Sequence, residues 1–275
     1  MKILLRGSRL SRALGSAFLN RAKNSNKILI VSIQKCGTHL IERVLLKAGF
    51  SKGQACNGPL NMSHLNKLRG GQFLLTHFCP SDDVQMALEG GDPSLKIIFN
   101  YRDPRDALVS WFHWMHPANP SPMHAHMSFM QKVYSSFTDE ELVDIFLKCD
   151  KFRAVEYNPI EHFRYSRVLL FHPAVLNVRF EDLIGPNGGG SKEAQIRTVK
   201  AITDLLDLQV DENLLAEEVY STQSPTFRKG KIGGYRDFFT QEQLAKFEIL
   251  HGDVIAQYGY ELDAMSGSSC VVDDC

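Results

Sequence analysis

Two short segments of this chain combine cations, a glycine and hydroxyl groups at spacings suited to gripping an anion. The first is Gln34-Lys35-Cys36-Gly37-Thr38-His39-Leu40, set between an apolar run and a helical pattern. A helix N-terminus offers backbone N–H groups without intrahelical partners, and the positive end of the helix dipole. Gly37 lets the backbone approach a ligand, Lys35 adds a point charge and Thr38 a hydroxyl donor, with Cys36 and His39 completing the loop. A kinase or ATPase loop reads G-x-x-x-x-G-K-[ST]; here the lysine precedes the only glycine. Taken alone, the segment also reads as an ordinary strand-to-helix turn. The second segment runs from Arg102 to Ser110. Asp103 suits an N-cap and Pro104 a first helical turn, so Arg102 should stand at the carboxyl end of a strand, where open α/β sheets bind ligands. Ser110 falls about two turns along that helix. Far downstream, Arg228-Lys229-Gly230 adds two cations and a pliant backbone. Arg102, Ser110, Arg228, Lys229 and the Gly230 amide together could hold one phosphate. Each element by itself is equally a surface charge cluster.

The elements that must position these groups follow from hydrophobic patterning. Lys27–Ile33 and Leu95–Asn100 are near-continuous apolar runs, as expected of parallel strands buried on both faces; 73–76 and 174–180 read as two more. Helices are expected over about 40–48, 104–115, 139–149, 159–170, 191–206, 211–220 and 240–258. Strands alternating with helices predict an α/β fold: one domain, residues 27–262, with a central, mostly parallel sheet flanked by helices. Asn187–Gly190 reads as a flexible surface loop.

Composition narrows the function. The 275 residues carry 31 Lys+Arg against 31 Asp+Glu, and a net charge of zero argues against a general nucleic-acid binder. No apolar run reaches the ~18 residues of a membrane span. The six cysteines show no CxxC or zinc-type spacing and read as reduced thiols in a cytoplasmic setting, a Cys270–Cys275 disulfide being the alternative. Residues 1–26 are basic and acid-poor: an organellar leader, a membrane-surface helix, or, as preferred here, a plain N-terminal helix. Residues 263–275 are expected to be a flexible tail.

In combination, the motifs resemble the PAPS-dependent sulfotransferases of the cytosolic and bacterial small-molecule type. Ile33–Leu40 is similar to that family's Y-P-K-S-G-T-T-W-like loop. Arg102–Ser110 is similar to the opening of its R-(N/D)-P-(K/R)-D-x-x-x-S-x-x-x-H motif, continued by Trp111, Phe112 and His113, and Arg228–Thr240 is similar to its R-K-G-x-x-G-D-W-x-x-x-F-T motif. His172–Leu183 is similar to its H-P…Y-E-D-L stretch. The resemblance implies a P-loop-like sulfotransferase fold. Lys35, Cys36, Gly37, Thr38 and His39 would bind the donor's 5′ end. Arg102, Ser110, Arg228, Lys229 and Gly230 would bind its 3′-phosphate, with Phe180 near the adenine. The family's K-T-H-(L/F)-P segment is met by Leu75-Thr76-His77-Phe78-Cys79-Pro80, making His77 the general base. The chain departs from the family at Cys36, His39, Leu40, Leu75, Gly234 and Tyr235, and lacks its dimer signature, leaving monomer and homodimer both open.

The chemistry so implied is transfer of a sulfuryl group from PAPS to a small-molecule hydroxyl or amine, releasing PAP. Lys35 would neutralise the leaving phosphate and no metal would be needed. The acceptor is expected against Phe73, Phe78, His113 and Trp114, with His113 the second candidate base. The His- and Met-rich stretch 113–130 reads as a Pro-broken loop over the acceptor rather than a metal site. A natural-product tailoring role fits that picture. The alternatives are a PAP-binding relative without transferase activity and, disfavoured by its loop spacing, a kinase-type enzyme.

Overall fold

The computed structural model describes residues 25–54, 60–77, 82–119, 125–148, 159–221 and 230–263. They form two compact units, one built on residues up to Arg102 with Val168–Ile232, the other on Asp103–Arg167 with residues from Gly233 on.

The first unit is built on a sheet. β1 (Lys27–Ser32) is followed by α1 (Thr38–Lys47), β2 (Ser51–Lys52), α2 (Met62–Lys67), β3 (Gln72–Thr76), α3 (Asp82–Glu89) and β4 (Leu95–Tyr101). After the second unit's insertion come β5 (Val175–Arg179), the single turn α8 (Phe180–Leu183), a 3₁₀ turn at Pro186–Gly188, α9 (Lys192–Leu205) and α10 (Glu212–Glu217). All strand pairs are parallel, in the order β2-β3-β1-β4-β5. Parallel strands need crossovers that cover both faces, which is why β1 and β4 read as unbroken apolar runs. On one face Ile28, Ile30, Phe73, Ile98 and Val178 pack with Ile41, Val44 and Leu45 of α1 and Val199 and Ile202 of α9.

One polar row interrupts that face. The register pairs Ser32 with Asn100 and Asn100 with Val178. Asn100 Nδ2 donates to the Val178 carbonyl at 3.2 Å, and Ser32 Oγ donates to Asn100 Oδ1 at 2.9 Å. Ser32 Oγ also lies 2.7 Å from Thr38 Oγ1 at the start of α1. The row therefore ties three strands to the helix that begins the first anion-loop candidate.

The second unit holds α4 (Pro104–Met115), α5 (Ala125–Tyr134), α6 (Asp139–Lys148), α7 (Pro159–Leu170) as far as Arg167, and α11 (Gln241–Gln257). Phe112 meets Phe146 edge-on at 5.4 Å and Phe163 meets Tyr258 at 5.0 Å. Thr240 and Gln243 form a reciprocal capping box at the head of α11.

Two expectations need correction. Residues 125–134 are a helix, not part of a loop: past Pro122 the run contains no Gly or Pro, and its Ala, Met, Gln and Lys are good helix formers. Gly188 is buried rather than part of an open loop, because a Cβ there would stand 2.5 Å from the Gly230 carbonyl, a packing only glycine permits. Replacing Asn100 with Leu removes from the core the amide's hydrogen bonds to the Val178 carbonyl and the Ser32 hydroxyl. It is expected to cost about 1–3 kcal/mol in urea unfolding, with the denaturant slope unchanged.

Candidate functional site

The first anion loop is a backbone device. Past β1, Ile33 N donates to Asn100 O at 3.1 Å and Cys36 N donates to Ile33 O at 3.2 Å. Lys35 has φ 67° and Gly37 φ 87°, whereas Cys36 between them is not among the positive-φ residues. Alternation of hand is the conformation that lines N–H groups along a concave face, and left-handed geometry at a lysine is uncommon enough to mark a functional turn. Gly37 is the N-cap of α1 and makes no side-chain capping hydrogen bond to its first turn. The Cys36 side chain is fully buried and points away from that face, with Sγ 3.7 Å from the Gln34 carbonyl.

Thr38 turns out differently from expectation. Asn100 Nδ2 must face the Val178 carbonyl, so Oδ1 faces Ser32 and takes its single hydroxyl hydrogen. Thr38 is then the donor in the 2.7 Å contact with Ser32. Its hydroxyl hydrogen is directed into the core rather than toward a ligand.

His77 follows β3 directly. The Val31–Thr76 pair puts it beside Ser32, and its Nδ1 lies 2.9 Å from the Ser32 carbonyl. A carbonyl only accepts, so Nδ1 carries the hydrogen and Nε2 keeps its lone pair. Burial lowers the His77 pKa, with His39 and Lys35 acting electrostatically in the same direction and the Ser32 carbonyl and Glu42 opposing them. The ring is therefore neutral near neutrality, as a base must be. On α1, His39 Nδ1 lies 2.7 Å from Glu42 Oε2, and Lys52 Nζ lies 2.6 Å from Glu42 Oε1.

The second anion segment meets the same sheet end. Tyr101 pairs with Arg179, so the next residues, Arg102 and Phe180, emerge side by side. The Arg102 guanidinium lies over the Phe180 ring, 4.1 Å from its centroid, and donates through Nη2 to the Lys231 carbonyl. Arg102 is 8% exposed. Gly37 abuts the edge of the same ring: a Cβ at position 37 would fall 2.4 Å from Phe180 Cδ2. Phe180 is 4% exposed and lies between the Gly37 backbone and the Arg102 guanidinium, so it sets the spacing between loop and arginine. Gly230, at φ 56°, and Ile232 border Gly188, to whose carbonyl Ile232 N donates at 3.1 Å.

Within the second unit, three charged residues of the middle motif bond to other groups of the protein. Asp103 Oδ1 accepts from Arg105 N at 2.9 Å, and its carboxylate takes the Arg105 Nε and Nη2 hydrogens at 3.0 and 2.8 Å. Arg105 Nη1 reaches Glu248 at 2.8 Å. Asp106 accepts from Gly233 N at 2.8 Å and from Tyr235 N at 3.0 Å, fastening the late motif to the middle one. Sequence reasoning missed these tethers; the charged run Asp103-Pro-Arg-Asp106 at a helix start was the available signal. Ser110 lies on α4 and is partly buried. His113 sits 5.5 Å from Phe112 and 5.2 Å from Phe238 in T-shaped contacts, and Trp114 meets Trp111 edge-on at 5.1 Å.

Comparison with known proteins gives the set a context. A family model described as "Sulfotransferase domain" matches residues 25–185, more than half of the chain. The chain belongs to the sulfotransferase domain family. The mouse sulfotransferase SULT7A1 complexed with PAP shares the fold, with a TM-score of 0.57 at 20% identity over 89% of each chain. Retinol dehydratase in complex with androsterone and inactive cofactor PAP gives a TM-score of 0.52 at 16% identity, over 92% of this chain and 94% of that one. No curated protein matches in sequence.

Within this sulfotransferase's sheet unit the structure gathers Lys35, Gly37, Thr38, His39, His77, Arg102, Phe180 and Gly230 at the carboxyl edge of the strands. Phe73 is not among them: it is 1% exposed and packs in the hydrophobic core, its side chain turned to the α1 face. Phe78, Arg228 and Lys229, with residues 1–24 of the N-terminal leader and 264–275 of the C-terminal tail, lie outside the described residues. Among those residues no helix is long and apolar enough to cross a membrane.

Two outcomes follow for the sulfotransferase. Gly37→Ala combines a left-handed backbone with a clash against Phe180 and is expected to lose about 2–4 kcal/mol in urea unfolding. The lowered His77 pKa means that the unfolded chain takes up the proton first. Its contribution is whole above the ordinary histidine value of 6.5 and is lost as pH falls from there through the folded-state pKa. Stability profiles of wild type and His77→Gln should therefore diverge above that range and converge on acidification.

Proposed function

We propose that this sulfotransferase moves a sulfuryl group from PAPS to a hydroxyl or amine of a small-molecule acceptor, releasing PAP. The observation that carries the reading is the shared edge of the sheet unit: a lysine-bearing, left-handed loop and a buried arginine held apart by one aromatic ring. That arrangement suits a ligand with anionic groups at two ends. Lys35 and the first-turn amides of α1 take the 5′-phosphosulfate. Arg102 takes the 3′-phosphate, with Gly230 and, on sequence grounds alone, Ser110, Arg228 and Lys229. The Lys231 carbonyl bonded to Arg102 supports the last two, since it lies three residues past Arg228.

In the transfer itself, the acceptor oxygen or nitrogen attacks sulfur and the bond from sulfur to the bridging phosphate oxygen breaks. The electron pair stays on PAP. His77 Nε2 removes the acceptor's proton, while its Nδ1–H stays on the Ser32 carbonyl and fixes the tautomer. Lys35 offsets the charge that grows on the leaving phosphate. His113 and Trp114 stand as acceptor-side residues on the motif resemblance.

A second reading, a PAP-binding protein without turnover, is favoured by Leu75, which replaces the lysine expected near the transferring group. Labelled PAPS with a panel of phenols, alcohols and amines separates the two. His77→Ala should retain PAP binding and lose about 10²–10⁴-fold in turnover. Lys35→Ala should weaken PAP binding about tenfold or more. Full activity in His77→Ala would remove the base assignment, and PAP binding without transfer across the panel would favour the second reading.

A further inference from the structure

Glu42 is a buried carboxylate on a helix face otherwise given to Ile41, Val44 and Leu45. Burial pushes its carboxyl up, but hydrogen bonds from His39 and Lys52 outweigh that and hold it below the ordinary carboxylate value. It is thus an anion, and an anion only accepts. The 2.7 Å contact then requires a hydrogen on His39 Nδ1 and turns Nε2 away from Glu42. His39 is the second residue of α1, in the turn whose amides face the proposed 5′ end of the donor, and its side chain is 45% exposed. Nε2 has two states with opposite chemistry. In the neutral ring it shows a lone pair, which repels an anion; in the imidazolium it is a charged N–H donor, which binds one.

We propose that His39, oriented by Glu42, is a proton-responsive arm of the donor site that grips the 5′ anionic end as the imidazolium. The inference rests on the reading of the Lys35–Thr38 loop as the 5′ subsite. Around it, Glu42 on its own helix accepts from Nδ1, Lys52 on β2 holds the other oxygen of that carboxylate, and His77 after β3 is coupled electrostatically both to it and to Lys35 in the preceding loop. The two histidines are set apart by their partners, a carboxylate for His39 and a carbonyl for His77. That division assigns the charge to one ring and the base to the other.

Calorimetric titration of PAP into wild type, His39→Thr and Glu42→Gln between about pH 5 and about pH 8 tests it. The ligand's own ionisation is common to all three proteins, so the ratio of affinities isolates the side chain. The His39→Thr to wild-type Kd ratio should be about tenfold at the acid end, the size of one charge-assisted hydrogen bond, and fall toward one at the alkaline end. Glu42→Gln should move that change toward lower pH. Parallel pH profiles for wild type and His39→Thr overturn the proposal. Because residue 39 is exposed, that variant decides the matter even if Glu42→Gln fails to fold. Wild type that binds no PAP at any pH overturns instead the reading of the loop on which the proposal rests.

Discussion

Asn100 is an amide in the middle of a buried parallel sheet, and the geometry of the site depends on how it is satisfied. An unmatched amide in such a core is costly, so both ends of this one are used, toward Val178 on one side and Ser32 on the other. The orientation that results is unique, because the carbonyl of Val178 can only accept. From it follow the direction of the Ser32 hydroxyl and then of the Thr38 hydroxyl at the head of α1. One hydrogen-bond chain therefore fixes the start of the helix against three strands.

The same row of the sheet extends one residue further, to His77, through the other side of Ser32. A single cross-strand line thus carries the proposed base and the anchor of the proposed anion loop. The next residues beyond the strands, Arg102 and Phe180, occupy the following positions at the same edge. Phe180 acts as a spacer: Gly37 can approach it because it has no Cβ, and Arg102 stacks on its face. Strand register, more than loop sequence, sets how far apart the two cationic elements stand.

Much of this was legible from sequence because the signals are local. Apolar runs marked β1 and β4, Asp103-Pro104 marked the head of α4, and the order of the three motifs pointed to the sulfotransferases. Elements with weaker periodicity escaped: β2 has two residues, α2 six, and α5 hid in a stretch rich in His and Met. Phe73 was read as ligand-facing because aromatic residues near a motif look alike in sequence, whether they point into a core or a cleft. Its burial is a property of face and register. The tethers made by Arg105 and Asp106 join residues far apart in the chain, and no spacing rule reports them.

By itself, the sequence determined which residue types are present, the strands that must be buried, and the glycine and lysine of the loop, since these depend on neighbours within a few positions. Tertiary structure alone decided where hydrogens point and which partner each histidine meets. Ser32, Thr38 and Asn100 became one directed chain, His39 met a buried carboxylate, and His77 met a carbonyl. The physical reason is that a hydrogen bond has a direction set by both partners. Those partners are brought together here by strand pairing across the sheet and by the first turn of a helix.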